Sequence, residues 1–117
     1  MDADAALYAY LVDALPGAGV YRDVPADRDA ALPFVVMSRT GGDQSEFVDS
    51  ALYSLWAWAA TDKEARALGY RLRDALEDAV DGIVNAFAAE AASVYRDDDP
   101  ESGAPRWGLT FSLDYIE

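Results

Sequence analysis

Cysteine and histidine are both absent from the 117 residues. Without cysteine there is no disulfide, no zinc–thiolate site and no thiol nucleophile. Without histidine the usual proton shuttle and the commonest metal ligand are gone, and Ser-His-Asp and Cys-His catalysis go with them. Positive charge is scarce: Lys63 is the single lysine, and 9 basic residues face 22 acids, for a net charge of −13. That balance disfavours nucleic-acid backbone and anionic lipid, which are bound through Lys and Arg. Long apolar runs are missing as well; nothing approaches the roughly 20 residues of a membrane helix. The opening Met1-Asp2-Ala3-Asp4 is acidic and lacks a basic n-region, so no signal peptide is expected and the chain reads as one made and kept in a cytosol.

What is present is globular in character. Apolar residues make up 52%, with 3 Trp and 7 Tyr. One domain spanning residues 1–117 is expected, long enough to bury roughly two-thirds of its unfolded surface without staples. Asp2 or Asp4 is placed to cap a helix that runs to Leu15 and stops at Pro16-Gly17, with Leu7, Leu11, Ala14 and Leu15 on its apolar side. Residues 20–24 read as a short strand and 25–32 as a polar loop. Phe34-Val35-Val36-Met37-Ser38-Arg39 is strand-like through its β-branched content. Residues 51–60 form a strand apolar on both sides, with Leu52, Trp56 and Trp58 facing one way and Tyr53, Leu55 and Ala57 the other. Thr61 or Asp62 opens a second helix whose stripe of Ala65, Leu68, Leu72, Ala75, Leu76, Ala79 and Val80 matches the 3.6-residue period, with Gly82 as its stop. Residues 83–95 are divided between alanine-driven helix and a strand over 86–95; the strand is preferred, because Val94, Tyr95 and the turn-rich residues after them suit a hairpin. Trp107, Leu109, Phe111, Leu113 and Tyr115 alternate with polar residues as one half-buried antiparallel strand. The expectation is α+β: an antiparallel or mixed sheet of about four to five strands with two helices packed on one face.

Two glycine-and-acid segments, residues 39–47 and 97–106, exceed the length of a tight hairpin turn, and long loops on compact domains are often functional. Neither carries recognisable chemistry. Asp97-Asp98-Asp99-Pro100-Glu101 has the acids for calcium, but the glycine that an EF-hand needs sixth stands seventh, at Gly103. Thr40-Gly41-Gly42 is too short for a phosphate loop, and Asp43 would repel phosphate. Among so many acids a glycosidase-like carboxylate pair carries no signal. No cofactor and no metal ligand set is expected, nor an enzyme. Lys63, Arg66, Tyr70, Arg73 and Glu77 share one flank of the second helix, at spacings of three and four, and read either as a solvated flank with an Arg73–Glu77 pair or as a subunit contact. The two-faced strand points to the contact: two helices cover one face of a small sheet, leaving Leu52, Trp56 and Trp58 to a neighbouring subunit or partner in preference to the sheet's own curvature and loops.

Several short stretches together carry a resemblance. They are Leu7-Tyr8-Ala9-Tyr10-Leu11, Val20-Tyr21-Arg22-Asp23-Val24-Pro25, Phe34 through Thr40-Gly41-Gly42, Trp58-Ala59, the helix holding Glu64-Ala65, and Asp99-Pro100-Glu101-Ser102-Gly103-Ala104-Pro105-Arg106-Trp107. Over nearly its whole length the chain resembles the tail terminator, or tail completion, proteins of long-tailed bacteriophages. The resemblance implies a virion protein at the head-proximal end of the tail, assembled in the host cytoplasm as a homo-oligomeric, typically hexameric ring. That ring would stop growth of the tail tube and offer a surface to the head–tail connector protein, with no catalytic residues. DNA would pass through a negative lumen without specific binding. Residues 86–92 depart from the pattern, alanines standing where β-branched residues are expected. On this reading the contacts with tube protein or connector fall on Thr40, Gly41, Gly42, Asp43, Glu46 and Phe47, and on Asp97, Asp98, Asp99, Pro100 and Arg106. Alternatives are another head–tail connector or stopper component, and a small acidic adaptor or DNA mimic.

Overall fold

The computed structural model describes residues 2–117. Helix α1 (Ala3–Ala14) begins where the Asp2 carboxylate accepts a hydrogen bond from the Ala5 N–H. This satisfies one of the free amides of the first turn. It leads into β1 (Gly19–Tyr21), the short helix α2 (Arg28–Ala31), and two long strands, β2 (Phe34–Gln44) and β3 (Val48–Trp58). Helix α3 (Asp62–Glu77), capped by the Thr61 side chain, and the single turn α4 (Ala79–Gly82) follow. The chain closes with β4 (Ala86–Ala91), β5 (Tyr95–Arg96) and β6 (Arg106–Ile116).

The fold is α+β, as expected, but among the described residues its one mixed sheet has six strands, more than the four to five expected. Strand order is β1-β2-β3-β6-β4, and β5 lies beside β6 beyond the end of β4. Among the described residues only the β1–β2 pairing is parallel. Helices α1 and α3 cover one face. There Leu7, Leu11, Leu68, Leu72 and Leu76 meet Tyr53, Leu55, Leu109, Phe111 and Leu113 in the main core. Gly69 is part of that fit: a Cβ on it would lie 3.1 Å from Val94 and 3.2 Å from the Trp107 Cβ, so glycine lets α3 settle against β6.

Several expectations need correction. Residues 39–44 are not loop. Strand β2 runs on through Gln44, paired to β3 across a bulge between Arg39 and Gly41, and only residues 45–47 turn. A bulge admits an extra residue without ending the ladder, so glycines that signal a loop here signal a bend. The second helix breaks at Asp78, which rotates the following turn; Ala79 and Ile83 are buried while Val80 is exposed. The strand over 86–95 is two pieces, both paired to β6. The short strand after α1 ends at Tyr21, and residues 25–32 contain α2. That helix lies on the face opposite α1 and α3, where Ala31 and Leu32 pack on Phe34, Val36 and Trp58.

Candidate interaction surfaces

Each long strand spans roughly 36 Å at about 3.3 Å per residue, matching the long dimension of a 41 × 25 × 25 Å molecule. The sheet therefore has two well-separated ends. The two nominated segments fall on opposite ones. Asp43, Glu46 and Phe47 crown the β2–β3 hairpin, with Thr40, Gly41 and Gly42 just below on β2; residues 97–106 lie at the other end, beside the start of β6.

The hairpin end gathers exposed apolar side chains beside its exposed acids Asp43, Glu46 and Glu117. Phe47 is 65% exposed, Val84 98%, Phe87 50% and Ile116 48%. They share this end because β6 finishes here while β4 begins: the Glu117 N–H donates to the Phe47 carbonyl, and the Ile116 N–H to the Asn85 carbonyl. A groove of about 460 Å³ beside Val84, floored by Ala6, Ala9 and Ile83, continues the patch. Of these residues sequence reasoning nominated only Phe47. Val84, Phe87 and Ile116 come from segments that read as strand or helix interior, where an apolar residue signals burial.

The opposite end is acidic and folded in on itself. The Asp97 carboxylate accepts from Trp56 Nε1 at 3.0 Å and Arg106 Nη2 at 3.3 Å. Asp98 pairs with Arg96 at 3.0 Å. Asp99 accepts from the Ser102 hydroxyl and amide, which hold its carboxyl below the usual range, and Arg28 lies 3.8 Å away. Pro100 and Glu101 remain exposed. Together with α2 the segment roofs the second face of the sheet, so Trp58 is not the open contact residue expected of it. The Trp58 ring is 2% exposed, stacked on Phe34 and flanked by the Arg28 and Arg106 guanidiniums at 5.9 and 5.4 Å from the ring centroid. Trp56 is half-covered beside it, under the same Arg106. On that face Leu52, midway along β3, is 48% exposed, and Ile116, at the end of β6, is open as well.

Among the described residues, Trp58 Nε1 is the single buried side-chain nitrogen or oxygen without a hydrogen-bond partner. An unmet buried donor costs about 1–3 kcal/mol. Trp58→Phe removes that donor while keeping a ring on Phe34. It should change stability by less than about 1 kcal/mol, against about 3–5 kcal/mol for Trp58→Ala, as read by urea unfolding.

The nominated stripe on α3 does come together. Arg66 sits over Tyr70 and Trp107 at 5.5 and 5.6 Å from the ring centroids, and Arg73 pairs with Glu77 at 3.0 Å. Arg73 also donates to the Ala92 carbonyl, tying α3 to the β4–β5 connection. Lys63 and Tyr70 are exposed, so the flank presents cation and aromatic together on an otherwise acidic molecule.

One cluster escaped sequence reasoning. Asp49, 1% exposed, is the buried charged residue of the core, and Arg39 grips it with two hydrogen bonds of 2.8 and 2.6 Å. Asp4 accepts from Arg39 at 3.3 Å and from the Tyr53 hydroxyl at 2.6 Å. The Arg39 hydrogen bonds hold the Asp49 carboxyl below its ordinary value, whereas burial, reinforced by Asp4, pushes the Tyr53 phenol up. The cluster ties the first turn of α1 to β2 and β3 just where β2 bulges.

No protein-family model matches the chain, and no curated protein matches it either. Among the described residues no helix is long and apolar enough to cross a membrane, and no group of three or more Asp or Glu is placed to hold a metal ion.

Proposed function

We propose that this chain is a structural assembly protein of a phage tail, a terminator that works by shape and self-association rather than by chemistry. One observation carries the reading: the sheet has an exposed apolar rim at one end and a charged, self-bonded loop at the other. Contiguous apolar patches at a surface mark protein contacts. A subunit with two unlike ends suits a ring that meets the tail tube on one side and the head–tail connector on the other. The α3 flank lies between those ends, where it suits a neighbouring copy in the ring. A stopper or connector component is the second reading, favoured by the same two-ended build, since it also bridges two partners.

Electron microscopy of particles assembled without this protein tests the choice. Tails of abnormal length are expected. Normal-length tails on heads that leak DNA would transfer the assignment to a stopper, and normal particles would remove both.

A further inference from the structure

The edge of a β-sheet is an unfinished hydrogen-bond ladder, and proteins usually blunt it with charge, proline or a covering segment. This sheet leaves two edges open, and they lie at the same level. Strand β1 covers β2 only at Phe34, Val35 and Val36, so β2 has no outer neighbour from Met37 onward. On the far side β4 pairs with β6 and, among the described residues, with no strand beyond it. Tracing partners across the sheet gives the rows Ala91–Phe111–Tyr53–Arg39 and Ala86–Tyr115–Asp49–Gln44. The free stretch of β4 and the free half of β2 thus occupy the same rows on opposite sides.

We propose that β4 of one copy pairs with the Arg39–Gln44 half of β2 in a second copy, head to tail. The proposal rests on the assembly reading above and names its contact. Three features carry it. Direction is the first: the three steps from β2 through β3 and β6 to β4 are all antiparallel, so the two free edges run oppositely and meet as an antiparallel pair. Level is the second. Edges in the same rows join without displacement along the strands, and a head-to-tail contact free of such displacement does not climb into a filament but closes into a ring where the rotation between copies divides a full turn. Composition is the third. Ala86-Phe87-Ala88-Ala89-Glu90-Ala91 carries one charge, no proline and four small side chains, so another backbone can approach it. Charges are also compatible, because the row of Glu90 ends at Gly41 and the row of Asp43 ends at Ala88; no two acids face each other.

The lack of native cysteine makes a clean test. Ala88 and Asp43 share a row and are both exposed, and Glu90 and Gly41 share the next row but one. Within one copy each pair is three strand spacings apart, roughly 14 Å, too far for an internal disulfide. Mild oxidation of the Ala88→Cys/Asp43→Cys and Glu90→Cys/Gly41→Cys double variants should yield covalent multimers that terminate at one closed species, while each single variant stays uncrosslinked. Dimers from Ala88→Cys alone would mean that β4 meets β4, and would overturn the proposal. Oligomers by light scattering with no crosslinks in either double variant would overturn the strand pairing and leave assembly standing. A chain monomeric at every concentration would remove both.

Discussion

Replacing Asp49 by alanine is expected to lower stability by about 3 kcal/mol, on the order of 15 °C in melting temperature. The carboxylate is almost fully buried and takes two hydrogen bonds from Arg39, whose side chain is 29% exposed. Removing it leaves a guanidinium largely withdrawn from water, with Asp4 and the Gly41 carbonyl, each at 3.3 Å, to answer it. Breaking one side of such a pair costs more than the pair itself contributes, because the surviving charge is uncompensated. Asp4→Ala should cost less, since Arg39 keeps its better partner. The pH dependence follows from the depressed Asp49 carboxyl. A group held lower in the folded state than in the unfolded one stabilises fully above its ordinary value and loses that contribution as pH falls through its folded value. Wild type should therefore weaken below about pH 4, and the Asp49→Ala variant should show a shallower acid limb in urea titrations. Equal acid limbs in the two proteins would contradict this role.

The second large effect is expected at Gly42. Its backbone has φ of +110°, and a Cβ there would lie 2.0 Å from the Ser50 carbonyl oxygen and 2.9 Å from the Ala51 Cα. Both obstacles are main chain of the paired strand, so no side-chain rotation relieves them. Gly42→Val should cost about 3 kcal/mol or more, or prevent the hairpin from pairing above the bulge. Gly41→Ala, one residue away, meets nothing within 4 Å and serves as the control. It should fall within about 1 kcal/mol of wild type by chemical denaturation. Equal losses at the two positions would show that the clash is not what matters.

Much of the fold was legible locally. The α3 stripe and the alternation of β6 are long, regular patterns; β6 stands where it was expected, and the helix does so as far as Glu77, short of the Ala79 and Val80 that its stripe was to include. The caps were legible to within a choice of two, Asp2 or Asp4 and Thr61 or Asp62, because capping is decided within a few residues; the structure takes Asp2 and Thr61. Legibility failed where two unlike outcomes share one local signal. Gly41-Gly42-Asp43 serves a loop or a bulged strand equally well, and only pairing with Leu52, Ala51 and Ser50 decides for the strand. Trp58 reads as surplus apolar area on a small sheet. Its cover, α2 and residues 97–106, comes from segments that are polar in sequence and apolar only at a few points such as Leu32 and Ala104.

The sequence by itself settled the absence of cysteine and histidine chemistry, the acidic surface, the secondary elements of strong periodicity and the α+β class, because composition and period are properties of the chain alone. Which faces remain open was decided only in three dimensions. Phe47, Val84, Phe87 and Ile116 gather at one end because β3, β4 and β6 happen to start or finish there, and the free edges of β2 and β4 come level through a register that spans four strands. Such coincidences are set by pairing between residues far apart in the chain, and no local pattern encodes them.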